Sequence, residues 1–236
     1  MRRKLAYLAI IFLATLAIAQ QTAAPAPPAA HHGHAVQPAQ SPDKIWSDLM
    51  DGNKRFVAGK LKPRAVVSVR ESLTKSQHPK ATVLSCSDSR VPPESVFDQT
   101  LGDLFVVRAA GNIAGPLGLA SMEYAFDHLG STVLVVLGHT NCGAVTAACS
   151  GEKMPTANLQ AMVDQIGPAV KKVKGSATGD ALIEAAIKEN VHQSAVDVLA
   201  HSEVLRHGKE QGKLTVIEAE YQLDTGAVIR MDKAAQ

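Results

Sequence analysis

Three observations on this sequence predict an α/β fold: a mainly parallel β-sheet flanked by helices, with an antiparallel C-terminal edge strand and a long N-terminal helix. First, the runs Thr82-Val83-Leu84 and Thr132–Leu137 are apolar without alternation. Such runs read as strands buried on both faces of a parallel sheet. Second, stretches of helical spacing separate the strands, the pattern of crossover connections. Third, Asp224-Thr-Gly226 joins two short apolar runs as a hairpin turn.

The elements follow in order. Ser41-Pro42-Asp43 is a helix start: a capping hydroxyl, proline in the first turn, then an acid. Ile45, Leu49 and Phe56 then share an apolar face up to Gly59, and a second short helix is expected over 70–76. Strands are expected at 81–85 and 104–108, with the glycine of Ala110-Gly111-Asn112 permitting a turn. A helix over 117–129 carries Met122, Ala125, Phe126 and Leu129, and a third strand covers 132–138. Two helices follow Cys142, separated by Pro155. One helical stretch, 182–207, then leads to strands at 214–221 and 227–231.

Ahead of this domain the composition changes. Arg2-Arg3-Lys4, the apolar run Leu5–Ala19 and the small residues Ala17 and Ala19 have the form of a cleaved signal peptide over 1–19. The apolar stretch is shorter than the ~20 residues of a spanning helix, and no later segment is apolar enough to span a bilayer. Export is expected, most simply to a bacterial periplasm. Residues 20–42 are rich in Ala, Pro and Gln and read as a disordered linker, with His31, His32 and His34 belonging to low-complexity sequence rather than to a site. The rest, 43–236, suits one domain.

The formal charge of +2 rests on 24 basic and 22 acidic residues; loss of Arg2, Arg3 and Lys4 lowers the 24 to 21, for a net charge of −1. With no basic run interleaved with aromatics, nucleic acid is not an indicated partner. Cys142 and Cys149 on one helix would stand roughly 10 Å apart, beyond disulfide reach, so Cys149 reads as a packed helix residue.

The chemistry concentrates in two short motifs. Cys86-Ser-Asp88-Ser-Arg90 and His139-Thr-Asn-Cys142 each follow a buried strand, where open α/β sheets place their sites. Two thiols, an imidazole and a carboxylate form a donor set that Zn²⁺ selects. Cys142 also opens a helical stretch, whose amino terminus favours the thiolate. Arg90, two residues beyond Asp88, can hold that carboxylate by a bidentate pair.

Those motifs resemble the β-class carbonic anhydrases. Gly52-Asn-Lys-Arg-Phe56, Gly102-Asp-Leu-Phe-Val-Val-Arg108, Ala110-Gly-Asn112, Ser121-Met-Glu-Tyr124, Gly212-Lys-Leu and Asp224-Thr-Gly226 agree, so that the resemblance covers about 43–231. It implies one Zn²⁺ per chain on Cys86, His139 and Cys142, and reversible hydration of carbon dioxide to bicarbonate. Such enzymes are the type example of zinc lowering the pKa of a bound water, which makes hydroxide available near neutrality. Asp88 would either close the metal site as a fourth ligand or accept a hydrogen bond from that hydroxide, with Arg90 as the latch that keeps it off the metal.

The resemblance further implies substrate contacts from Gln77, Phe105 and Tyr124, and an intimate homodimer or higher oligomer. It marks Arg108 without giving it a role. Some bacterial members carry a tryptophan three residues before the first zinc cysteine, within an inhibitory bicarbonate site. Here Val83 stands there, which argues against that regulation and for the plant-like subgroup. Alternative readings are a hydrolase of carbon disulfide or carbonyl sulfide on the same fold, and a non-catalytic zinc protein in which Asp88 completes a closed site.

Overall fold

The computed structural model describes residues 40–231. The expected signal peptide at 1–19 and nearly all of the linker, with its histidines, lie outside the described residues. No helix among the described residues is long and apolar enough to cross a membrane.

Five strands form one sheet in the order β2-β1-β3-β4-β5. Strands β1 (Ala81–Ser85), β2 (Leu104–Arg108), β3 (Val133–His139) and β4 (Thr215–Tyr221) run parallel, and β5 (Val228–Arg230) returns antiparallel beside β4. Every residue of β1 and β3 is buried, as their unbroken apolar runs require. Edge strand β2 is only half-buried and ends exposed at Arg108.

One face of the sheet packs Val83, Val135, Leu137 and Ile217 against Ile45 and Leu49 of α1 (Pro42–Val57). Ser41 Oγ accepts from Lys44 N at 3.3 Å and caps that helix. Asn53 then ties α1 to the C-terminal hairpin, donating to Val96 O and Gly226 O at 3.1 and 2.8 Å and accepting from Val228 N at 2.9 Å. The opposite face packs Leu84, Leu134 and Val136 against Met122, Val191 and Val198. A third cluster surrounds Cys86 and Cys142 with Val145, Ile166, Val170 and Ile187.

Two helical expectations are corrected, and one short helix is added. Helix α2 spans Val66–Ser72, about one turn earlier than expected, and closes on Ser72, whose hydroxyl bonds the Val69 carbonyl at 2.7 Å. A four-residue helix, α3 (Pro93–Val96), starts on a proline and is too short to show a period. The expected 182–207 stretch is two helices, α7 (Gly179–His201) and α8 (Glu203–Glu210). Ser202 leaves helical geometry between them, capping Leu205 N at 3.2 Å and donating to Glu123 Oε1 at 2.6 Å. The remaining helices, α4 (Pro116–Asp127), α5 (Gly143–Ser150) and α6 (Ala157–Val173), lie where the sequence places them.

Candidate metal centre

Adjacent parallel strands bring the two motifs together. Ser85 of β1 registers with Leu137 of β3, so Cys86 and His139 leave the sheet side by side. Asn141 then turns the chain through a left-handed residue (φ +54°), and Cys142 becomes the N-cap of α5. The Cys86 and Cys142 sulfurs and a ring nitrogen of His139 lie within 4.8 Å of one another, all from buried residues.

His139 is oriented by its own strand end. Nδ1 lies 2.9 Å from the Thr140 carbonyl, an acceptor, so Nδ1 carries the proton and Nε2 keeps its lone pair. Nε2 is buried with no hydrogen-bond partner. An orphaned imidazole nitrogen facing two sulfurs is costly unless a cation takes it, and two sulfurs with one nitrogen suit zinc. The residues therefore fit Zn²⁺.

The electrostatics agree. The Cys142 thiol beside it brings the Cys86 thiol down to about 4 against the pull of burial, with help from His139 and the backbone N–H groups of Gly111 and Asp88. The same neighbour relation, together with burial, pushes Cys142 up, although the N–H groups of Val145 and Ala144 at the start of α5 oppose it. Burial pulls His139 down, but the Cys86 sulfur more than offsets this and its pKa is raised.

Asp88 stands beside the three ligands, with Oδ2 3.9 Å from His139 Nε2. Arg90 Nε donates to its Oδ1 at 2.9 Å and Nη2 to its Oδ2 at 2.7 Å, while the Arg90 backbone N–H donates to Oδ1 at 2.9 Å. These bonds hold the Asp88 carboxyl well below the usual carboxylate range. In this arrangement Asp88 is turned onto Arg90 rather than into the group of three ligand atoms.

Phe105 and Tyr124 also meet, their ring centroids 6.4 Å apart at the open β2 edge, with Tyr124 47% exposed. Gln77 is exposed in the segment between α2 and β1. A separate polar cleft of about 540 Å³, lined by Asp48, Arg55, Arg64, Lys80 and Asp98 among others, shares no residue with the metal centre.

Two residues that the sequence marks only through the family resemblance, without a role, also reach the site. Arg108 Nε donates to Cys86 O at 2.9 Å and its Nη2 to Asp88 O at 2.6 Å, so Arg108 clamps the backbone of the first motif. Gly111 N–H donates to Cys86 Sγ at 3.3 Å. Gly111 has φ +76°, and a Cβ there would lie 2.7 Å from Ile166 Cδ1, so only glycine brings its N–H this close. Apart from the resemblance, the residues themselves offered only a charged residue ending an apolar strand and a glycine in a turn, both common.

Fold and site together define an α/β metalloprotein whose Cys-His-Cys centre sits at the carboxyl ends of two neighbouring parallel strands. A family model described as Carbonic anhydrase matches residues 81–228. A protein named Carbonic anhydrase 2 from Mycobacterium tuberculosis is 36% identical over 199 residues, covering 83% of this chain and 95% of that protein. A Carbonic anhydrase from Pseudomonas aeruginosa is 32% identical over 198 residues, covering 80% and 89%. Among solved structures, the β-carbonic anhydrase CcaA superposes with a TM-score of 0.64 at 27% identity, over 79% of this chain and 95% of that one. The chain belongs to the carbonic anhydrase family, and its fold is that of the β class.

Proposed function

We infer that this protein is a zinc enzyme that catalyses the reversible hydration of carbon dioxide to bicarbonate and a proton. The observation that carries the reading is the Asp88–Arg90 pair beside the buried Cys86, His139 and Cys142. A closed structural zinc site needs no such pair.

Zinc, when bound by those three residues, supplies a Lewis acid that makes water nucleophilic near neutral pH. The chain's own residues do the rest. Asp88, held ionised by Arg90, accepts a hydrogen bond from the attacking water and so orients its lone pair toward the carbon of CO₂. A C–O bond forms, the water gives up its proton to solvent buffer, and bicarbonate leaves. Arg90 keeps Asp88 in that acceptor position, and Arg108 fixes the backbone that carries both Cys86 and Asp88. Gln77 is assigned to bicarbonate binding, and Phe105 and Tyr124 to the apolar wall of the substrate pocket.

The segment 1–19 directs export to the periplasm, and the mature chain works as a homodimer or larger homo-oligomer. Support for assembly comes from the half-buried open strand β2 and the exposure of Leu117 (86%) and Tyr124 near it.

Stopped-flow CO₂ hydration with a pH indicator tests the function. Zinc-loaded protein accelerates the reaction and chelated protein does not; equal rates from both would sink the assignment.

A further inference from the structure

Helix α7 lies against the strand that supplies His139, and Gly138 lets it come close. A Cβ at Gly138 would stand 2.3 Å from Val191 Cγ2, so the bare backbone of β3 is what admits Val191 and, with it, the preceding Asn190. Asn190 is 1% exposed in a helix whose buried positions are otherwise mostly apolar, among them Ala186, Ile187, Val191 and Val198. A carboxamide in such surroundings is costly unless its hydrogen bonds are made. Its Nδ2 donates to the Gly111 carbonyl at 2.8 Å and lies 3.5 Å from Asn112 Oδ1.

Gly111 is thereby held through both of its polar groups. Its N–H reaches Cys86 Sγ and its C=O reaches Asn190. Gly111 and Asn112 are successive left-handed residues, with φ +76° and +48°, in a turn closed by the Asn112 N–H, which donates to Ala109 O at 3.0 Å. The two groups lie in different peptide planes that meet at the Gly111 Cα; Asn190 fixes the second plane by its carbonyl, and so fixes the place of the Cα from which the N–H projects. An N–H donor on a thiolate draws charge from the sulfur, and groups of this kind tune a metal through its ligands.

We propose that Asn190 is a positioning residue for the metal centre: by gripping the Gly111 carbonyl it keeps the Gly111 N–H on the Cys86 sulfur, and so limits the charge that this sulfur donates to the metal. The proposal rests on the assignment of Cys86, His139 and Cys142 as zinc ligands.

Substituting Co²⁺ for zinc in the full chain tests it, because the thiolate-to-cobalt charge-transfer band reports the charge on sulfur. Asn190→Leu removes the donor, and Asn190→Asp keeps the shape while replacing the donor with an acceptor. In both, the band moves to longer wavelength, since a sulfur relieved of its N–H partner gives up an electron more readily. Ser194→Ala, which removes only the partner of the Asn112 side chain, leaves the band in place. An unmoved band in an Asn190 variant that still binds one Co²⁺ per chain overturns the proposal. So does an equal shift in Ser194→Ala, which would mean general loosening of α7. A wild-type protein without any thiolate band would instead remove the metal-ligand assignment itself. Should both Asn190 variants fail to fold, ¹⁵N-labelled wild-type protein loaded with ¹¹³Cd decides the matter. Scalar coupling is expected between cadmium and the Gly111 amide proton through the Cys86 sulfur, and, with ¹³C added to the label, between Asn190 Nδ2 and the Gly111 carbonyl carbon across their hydrogen bond; the absence of either overturns the proposal.

Discussion

Arg90 takes both carboxylate oxygens of Asp88, through Nε at 2.9 Å and Nη2 at 2.7 Å, and one of those oxygens stays 3.9 Å from His139 Nε2. Arg90 therefore competes with the metal centre for Asp88, and removing the arginine releases the carboxylate. Arg90→Ala should keep its zinc and lose CO₂ hydration by about 100-fold or more in kcat/KM, the scale of a misplaced proton acceptor. Arg90→Lys should recover only part of this, because an ammonium lacks the planar fork. A crystal structure of Arg90→Ala with Asp88 still away from the zinc, or full activity, would refute the latch.

Zinc retention should divide the site residues. Cys86→Ala, His139→Ala and Cys142→Ala each remove one of the three convergent ligand atoms, and elemental analysis should show zinc well below one per chain. Asp88→Ala should retain most of its zinc, because Asp88 is held by Arg90. Undiminished zinc in Cys142→Ala would contradict the ligand assignment.

The pH profile of CO₂ hydration should rise from mildly acidic buffer through neutrality to an alkaline plateau. Thiolates at Cys86 and Cys142 cancel the zinc's double positive charge, so water is polarised less than at a site of three neutral imidazoles. Asp88 adds no inflection of its own above about pH 5, because Arg90 keeps its pKa below the ordinary carboxylate value of about 3.9. Stopped-flow rates at constant ionic strength, with zinc content checked at both ends, provide the measurement. A flat profile would count against the mechanism.

Glu220 should cost the fold stability as pH rises. It is 3% exposed on β4, its Oε1 has no partner, and burial raises its pKa, against the opposing influence of Lys188, Gln222 and His139 and with Glu184 adding to the rise. A folded-state pKa above the unfolded value means that its contribution is fully present below the unfolded pKa and is lost as pH climbs through the folded one. Glu220→Gln removes that loss. Thermal unfolding of zinc-matched samples should show the variant gaining on the wild type as pH rises from about 4 through neutrality; a constant difference would show that the fold does not raise the pKa of Glu220.

Asn53 should matter for stability and not for metal. Asn53→Ala leaves Val96 O, Gly226 O and Val228 N without their side-chain partner, at a cost of about 3 kcal/mol from stranded buried groups. Urea unfolding should register that loss while zinc stoichiometry stays unchanged.

Much of this architecture was legible from residue types in order. Strands buried on both faces must be apolar throughout, so β1 and β3 announce themselves, and Cys86 and His139 stand where those runs stop. The zinc donor set and the Asp88–Arg90 pair lie within short motifs, where spacing alone brings side chains near. Helix limits were less legible. The valines at the start of α2 are weak helix formers, which placed that helix too late, and the break at Ser202 depends on its bond to Glu123, 79 residues away.

The sequence by itself determined the fold class, the Cys-His-Cys donor set and the pairing of Asp88 with Arg90, because each is written in local pattern: burial on two faces, donor chemistry at strand ends, and a two-residue spacing. Only the tertiary structure decided what surrounds them. Arg108 reaches the Cys86 carbonyl from 22 residues away, and Asn190 reaches Gly111 from 79. Arg108 closes a motif that gives it no role, and Asn190 belongs to no motif at all. Their roles exist because β2 lies beside β1 and because Gly138 lets α7 pack close, and the packing of elements far apart in the chain is what sets which backbone group each side chain meets.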